Sequence, residues 1–303
     1  MIRAVDLCKQ YGHFDALRGL SFTVPEGSAF ALIGANGAGK TTAIKILMNI
    51  LQPTRGNATV LGVDSRKLSP DELNRIGYVS ENQEMPVSLT VDEYLAYLRP
   101  FYPKWDLDRE KSLRRDFRLP GDRRIGNLSH GMRMKMALVS ALSFHPELFI
   151  LDEPFNGLDP LVRDEFMEGM LQQAGQMTVL VSSHDLSEID AFATHVAFVD
   201  SGKLLFEEPI EALTSRFREV EVTLEDGPRI PTDIPKPWLH LRVTGSVVSF
   251  VETQFVECEL NGKLDRFWPS IRRVETKPMG LRAIFTALAR AARADAEEKS
   301  AAL

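Results

Sequence analysis

Residues 34–41 read GANGAGKT and are followed by Thr42, a run of the form G-x-x-x-x-G-K-[ST]. Gly34, Gly37 and Gly39 let the backbone curl so that successive N–H groups point inward, as phosphate oxygens require. The candidate phosphate cradle is therefore Gly34, Ala35, Asn36, Gly37, Ala38, Gly39, Lys40, Thr41 and Thr42. Lys40 supplies a mobile positive charge for the outer phosphates, and Thr41 offers a hydroxyl to Mg2+. A second run, residues 148–154, reads LFILDEP: an apolar stretch ending in two carboxylates. Asp152 is a candidate Mg2+ ligand, directly or through water. Glu153 is a candidate to polarise an attacking water. Phosphoryl transfer leaves little covalent work to the protein, so such positioning groups carry the chemistry.

These residues need elements to hold them. Residues 28–34, Ile76–Ser80, Leu148–Asp152, Thr178–Ser183 and His195–Asp200 read as strands, several of them near-continuously apolar. That texture suits parallel strands buried on both faces. Helices are expected over 40–50, 91–101, 130–143, 161–173 and 186–192. Alternating strands and helices predict a parallel α/β sheet. The cradle then follows a strand and opens a helix, whose positive N-terminal end faces the phosphates. Asp152 lies at the carboxyl end of its strand, where open α/β sheets bind ligands. Residues 84–143 break the alternation and read as a helical subdomain. After residue 213 the texture changes to alternating segments at 220–224, 239–243 and Val247–Glu252. A proline-rich stretch (Pro228, Pro231, Pro235, Pro237) separates the first two. Residues 215–280 read as a small β-rich domain, followed by a helix over 281–294 and a frayed end.

The chain has 303 residues and a net charge of -6, a balance that disfavours general nucleic-acid binding. The local basic group Arg114, Arg115, Arg118, Arg123 and Arg124 reads as a solvated helix face. Cys8 and Cys258 form neither a disulfide framework nor a metal spacing, and suit unpaired thiols in a reducing compartment. The amino-terminal residues lack a signal-peptide pattern. Nowhere do about 18 apolar residues run together as a membrane helix needs; residues 136–144 are apolar but too short. Work at a membrane would require another chain to span it.

Residues 128–132, LSHGM, lie 20 residues before Asp152 and resemble the LSGGQ signature of ABC ATPases. Ser129 can cap the helix that follows, leaving Gly131 and the amide end of that helix facing outward. NGLDP at 156–160 resembles the family's D-loop, and SSH at 182–184 its switch histidine. Tyr11 matches the aromatic that stacks on adenine. The matches occur in family order across residues 1–213. The resemblance implies a P-loop NTPase core over 1–214, an α/β fold with a parallel sheet, an antiparallel β subdomain and a helical subdomain near 84–143. Residues 215–303 form the accessory domain. It also implies ATP and Mg2+ as ligands and ATP hydrolysis. Ser129 and Gly131 of one copy would meet the γ-phosphate held by a second copy in an ATP-sandwich dimer. Asp159 would lie near the seam, and His184 would contact the γ-phosphate. Three residues depart from the pattern. Glu81 stands where the family has its Q-loop glutamine, followed by Asn82 and Gln83, so either Glu81 or Gln83 could reach Mg2+. His130 replaces a glycine of the signature, and Met132 its glutamine.

One cassette without a long heptad insert is similar to the separately encoded ATPase subunits of transporters. A separate integral membrane permease is then the expected partner, with this chain cytoplasmic and peripheral on the inner face of the cell membrane. No nucleic-acid partner is expected. The tail TKPMGLRAIFTALAR (276–290) resembles that of ABC-2-type exporter ATPases. A soluble regulatory or nucleic-acid-linked ABC ATPase is the rival reading. Salt-sensitive nucleic-acid binding without membrane association would favour it.

Overall fold

The computed structural model describes residues 1–171, 177–225 and 233–301. Within it the chain divides into two units, Met1–Glu207 and Glu208–Leu303. The sequence reading placed this boundary after residue 214. The structure draws it seven residues earlier, inside a strand.

Unit one begins with β1 (Ile2–Tyr11) and β2 (Phe14–Val24), an antiparallel pair closed by a tight turn. Next come β3 (Ala29–Ile33), α1 (Lys40–Leu47), β4 (Arg55–Val60), β5 (Val63–Asp64), the single-turn α2 (Pro70–Leu73) and β6 (Ile76–Ser80). The helical stretch holds α3 (Val91–Leu98), α4 (Leu107–Asp116) and α5 (His130–Leu142). Then follow β7 (Leu148–Asp152), α6 (Pro160–Leu171), β8 (Thr178–Ser183), β9 (His195–Asp200) and β10 (Lys203–Pro209). The first four of these strands outside the main sheet form an antiparallel layer in the order β2-β1-β4-β5. The main sheet has the order β10-β9-β3-β8-β7-β6, and β9-β3-β8-β7-β6 run parallel. Every residue of β7 and β8 is buried, as central parallel strands demand. Side chains of both sheets and of α1 share one core, including Leu7, Leu20, Phe30, Leu32, Ile44, Leu47 and Ile150.

The expected helices are not all complete: that over 91–101 is α-helical only to Leu98 and closes as a 3-10 turn over Arg99–Phe101. The helix after the cradle stops at Leu47 because Asn49 takes a left-handed φ of 57°, while the amides of Ile50 and Leu51 turn back to the Lys45 carbonyl. Residues 186–192 form no α-helix. Only a 3-10 turn over Leu186–Glu188 is present, in which the buried Glu188 carboxylate takes a hydrogen bond from Ser183 Oγ. The last turn expected of the 161–173 helix, at Gln172 and Gln173, lies outside the described residues.

Unit two contains α7 (Ile210–Arg216), β11 (Arg218–Leu224), β12 (Trp238–Thr244), β13 (Val247–Glu252), α8 (Glu257–Leu264), β14 (Ile271–Pro278) and α9 (Leu281–Ala301). Its antiparallel sheet has the order β12-β13-β11-β14. One face buries Val220, Val222, Val248 and Phe250 with Trp238 and Trp268, whose rings stack 5.7 Å apart. The sequence reading did not assign α8 or β14. It also ended the last helix at 294, whereas α9 runs to Ala301. Pro228 and Pro231 of the proline-rich stretch lie outside the described residues.

Candidate active site

Parallel strands place all their carboxyl ends on one edge, so sheet order decides which loops meet. β3 leads into the cradle, β8 into His184, β7 into Glu153 and β6 into Glu81. These four strands are consecutive neighbours, with Ile33 beside Ser183, Ser182 beside Asp152, and Asp152 beside Ser80. Residues more than 100 positions apart thereby share one cleft. It is lined by Tyr11, Asn36, Lys40, Thr41, Glu81 and Glu153, with Gly37, Gly39 and Thr42 of the cradle.

Two of the cradle's glycines, Gly34 and Gly39, have no room for a side chain, whereas Gly37 faces open space and needs glycine only for its φ of 82°. A Cβ at Gly34 would stand 2.2 Å from the Val199 carbonyl oxygen. Gly39 caps α1 with a φ of 104°, and a Cβ there would meet the Ala16 carbonyl at 2.7 Å. Ala38 is buried, and its amide donates to the Ala35 carbonyl at 3.0 Å. The free amides at the start of α1 then face the cleft as an anion seat. Lys40 is 4% exposed. Its Nζ donates to the carbonyls of Gly34 (2.6 Å) and Ala35 (3.2 Å) and pairs with Glu153 Oε1 at 2.9 Å.

Glu153 is held in a conformation that few non-glycine residues adopt, with φ of 50°. Its amide donates to Ser182 Oγ at 2.9 Å, and its second carboxylate oxygen contacts His184 Nδ1 at 2.9 Å. The carboxylate therefore spans Lys40 and His184 at the mouth of the cleft. Asp152, 2% exposed, accepts from Thr41 Oγ1 at 3.0 Å and from Ser182 Oγ at 2.8 Å. Burial pushes its carboxyl pKa up, and the two hydroxyl donors oppose that rise. Thr41 and Asp152 would supply oxygen ligands of the kind Mg2+ prefers, should it bind here. Among the described residues no three His, Cys, Asp or Glu side chains gather as a metal cage.

Glu81 lines this cleft and also the adjoining cavity with Thr41, Tyr78, Gln83 and Asp152. Gln83 lines only the second, where its buried Oε1 has no hydrogen-bond partner. Tyr11 is 46% exposed at the tip of the β1–β2 turn, with the Lys9 ammonium 5.2 Å from its ring centre. Ser129 caps α5 by accepting from the Met132 amide at 3.2 Å. Neither Ser129 nor Gly131 lines the cleft. Gly131 packs instead toward Val162 and Leu158, beside the 156–160 loop.

Sequence reasoning missed two residues. Ser182 was noted only as part of the SSH string, yet it joins Asp152 to the Glu153 amide. The signal is its position directly across from Asp152, which strand order alone reveals. Phe14 pairs with Tyr11 across the turn and lines the cleft, 59% exposed. An exposed phenylalanine beside a candidate stacking tyrosine was the available signal.

Comparison with known proteins places this geometry. The family described as ABC transporter matches residues 17–156. The bacitracin transport ATP-binding protein BcrA of Bacillus licheniformis is 34% identical over 232 residues, which are 75% of this chain and 76% of that one. The daunorubicin resistance ATP-binding protein DrrA2 of Streptomyces coeruleorubidus is 33% identical over 238 residues, 76% of this chain and 74% of that one. A solved ATP-binding subunit of an ABC transporter superposes with a TM-score of 0.65 at 28% identity, covering 71% of this chain and 92% of that one. With a glycine-rich loop, a carboxylate pair and His184 on one sheet edge, and relatives of this similarity and coverage, the chain belongs to the ABC transporter ATP-binding proteins and is an ATPase.

Proposed function

We propose that this chain is the ATP-hydrolysing subunit of an export-type ABC transporter, working as an ATP-sandwich dimer beneath a separate membrane permease on the inner face of the cell membrane. The observation that carries the reading is the Glu153 carboxylate, poised between Lys40 and His184 beside the phosphate cradle. Tyr11 stacks on the adenine. The amides of 37–42 and Lys40 hold the phosphates. Thr41 and Asp152, with Glu81 lining the same cavity, hold Mg2+. That ion, when bound, neutralises charge on the outer phosphates. Glu153 orients the attacking water, and His184 steadies the charge that develops on the γ-phosphate.

Ser129 and Gly131 lie outside their own protomer's cleft, which supports their serving the cleft of a second copy. The relatives named for bacitracin transport and daunorubicin resistance support export. Among the described residues no helix is long and apolar enough to cross a membrane, which supports a separate permease. The exposed ring pair Tyr97 and Phe101, 5.4 Å apart in the helical stretch, offers that permease an apolar contact. ATP favours the closed dimer because it binds that form more tightly, and hydrolysis removes the preference.

Glu153→Gln tests this reading. The variant should lose about 100-fold or more of its turnover and accumulate as an ATP-bound dimer by light scattering. Near-native hydrolysis, or a monomer at saturating ATP, would overturn it.

A further inference from the structure

In the LSGGQ pattern the third residue is glycine; here it is His130. The ring reaches a group that no glycine could. Its Nε2 lies 3.1 Å from the backbone oxygen of Asn156, and because a carbonyl can only accept, Nε2 carries the proton. The ring also lies against Gly157, where a Cβ would stand 3.6 Å from His130 Cδ2. One residue on, a Cβ at Gly131 would be 3.1 Å from Val162. The start of α5 is thus seated on the loop that follows β7.

The other end of that loop is Glu153. The Asn156 amide donates to the Glu153 carbonyl at 3.3 Å, closing a tight turn. This turn has the signature helix bonded to one end and the carboxylate that faces Lys40 and His184 at the other.

We propose that His130 is a positioning residue that couples the two active sites of the dimer. This rests on the dimer reading above. Through its bond to Asn156, His130 ties the signature, which completes the partner's site, to the turn that sets Glu153 in its own site. Engagement of Ser129 and Gly131 with the nucleotide on the other copy is thereby felt at the protomer's own Glu153. A bond from a rigid helix end to a short turn transmits such a displacement because neither element can absorb it.

The test is steady-state ATP hydrolysis by the full chain as wild type, His130→Ala and His130→Gln. kcat, the half-saturating ATP concentration and the Hill coefficient are fitted, and monomer affinity is measured separately with a fluorescent ATP analogue. His130→Ala should lower kcat about fivefold or more and bring the Hill coefficient from above 1 to near 1, with monomer affinity unchanged. His130→Gln, whose side-chain amide can donate to the same carbonyl, should recover both. If His130→Ala is poorly folded by thermal melt, His130→Asn takes its place, because its shorter amide falls short of Asn156. A wild-type Hill coefficient of 1, unchanged kinetics in the loss variant, or no recovery with glutamine would overturn the coupling. If Glu153→Gln still forms the ATP-bound dimer, such a result removes only the coupling. If that dimer is absent, the underlying reading fails instead.

Discussion

Glu153 shows how local strain and chemistry meet in a single residue. A left-handed backbone at a non-glycine position costs about 1–3 kcal/mol, and here it is held by the amide bond to Ser182, the ion pair to Lys40 and the side-chain contact with His184. The neighbouring Glu188 presents a different balance. Its carboxylate is 8% exposed and takes a hydrogen bond from Ser183 Oγ, and burial pushes its pKa up despite the attraction of His184. A carboxyl raised on folding adds stability below its unfolded pKa, and that contribution is lost as pH rises through the folded value. Ionised Glu188 therefore weighs against the fold at neutral pH. Glu188→Gln removes the charge and keeps an acceptor for Ser183. We expect the variant to melt a few degrees higher near neutral pH, with the gap closing as pH falls below the usual carboxylate range. Calorimetry across pH checks this, and a lower melting temperature at every pH would refute it.

Among the elements, the β1–β2 turn and the row of parallel strands serve the site in different ways. The strands fix Asp152, Glu153 and His184 by register, so their spacing follows from backbone hydrogen bonds. The turn only carries Tyr11 and Phe14 to the rim of the cleft, where both stand exposed. Stacking energy then depends on side-chain surface. Phe14→Ala should weaken nucleotide binding by about 1 kcal/mol, roughly fivefold, while Phe14→Trp keeps it. Titration calorimetry with ADP and Mg2+ reads the difference. Equal affinity for the alanine variant and the wild type would show that the second ring is a bystander.

On the scale of the molecule, each unit has its own hydrophobic core. The three tryptophans divide between them. Trp105, bonded to Glu110 at 2.8 Å, belongs to unit one, and Trp238 and Trp268 are in the core of unit two. In a Trp105→Phe variant the remaining fluorescence reports unit two alone. Nucleotide at 100 times its Kd stabilises the unit that binds it by about 2.7 kcal/mol. The calorimetric transition of unit one should therefore rise with ADP and Mg2+, while the fluorescence transition of the variant stays in place. A fluorescence transition that moves in step with unit one would show that the units unfold together.

The candidate site residues were legible from sequence because each motif is local. GANGAGKT builds its cradle from consecutive backbone amides, LFILDEP ends a buried strand in carboxylates, and Ser129 caps the helix that begins beside it. Five strands of unit one could be read directly, since burial on both faces demands continuous apolar runs. Sequence could not show that His184 and Lys40 meet the same carboxylate, that Ser182 bridges Asp152 and Glu153, or that His130 reaches Asn156. Those contacts depend on strand order and on how one helix end seats against a loop, and no window of neighbouring residues contains them. The helix expected over 186–192 failed for the same reason. There Glu188 turns inward to Ser183 at the end of the preceding strand, a tertiary contact outside any local pattern.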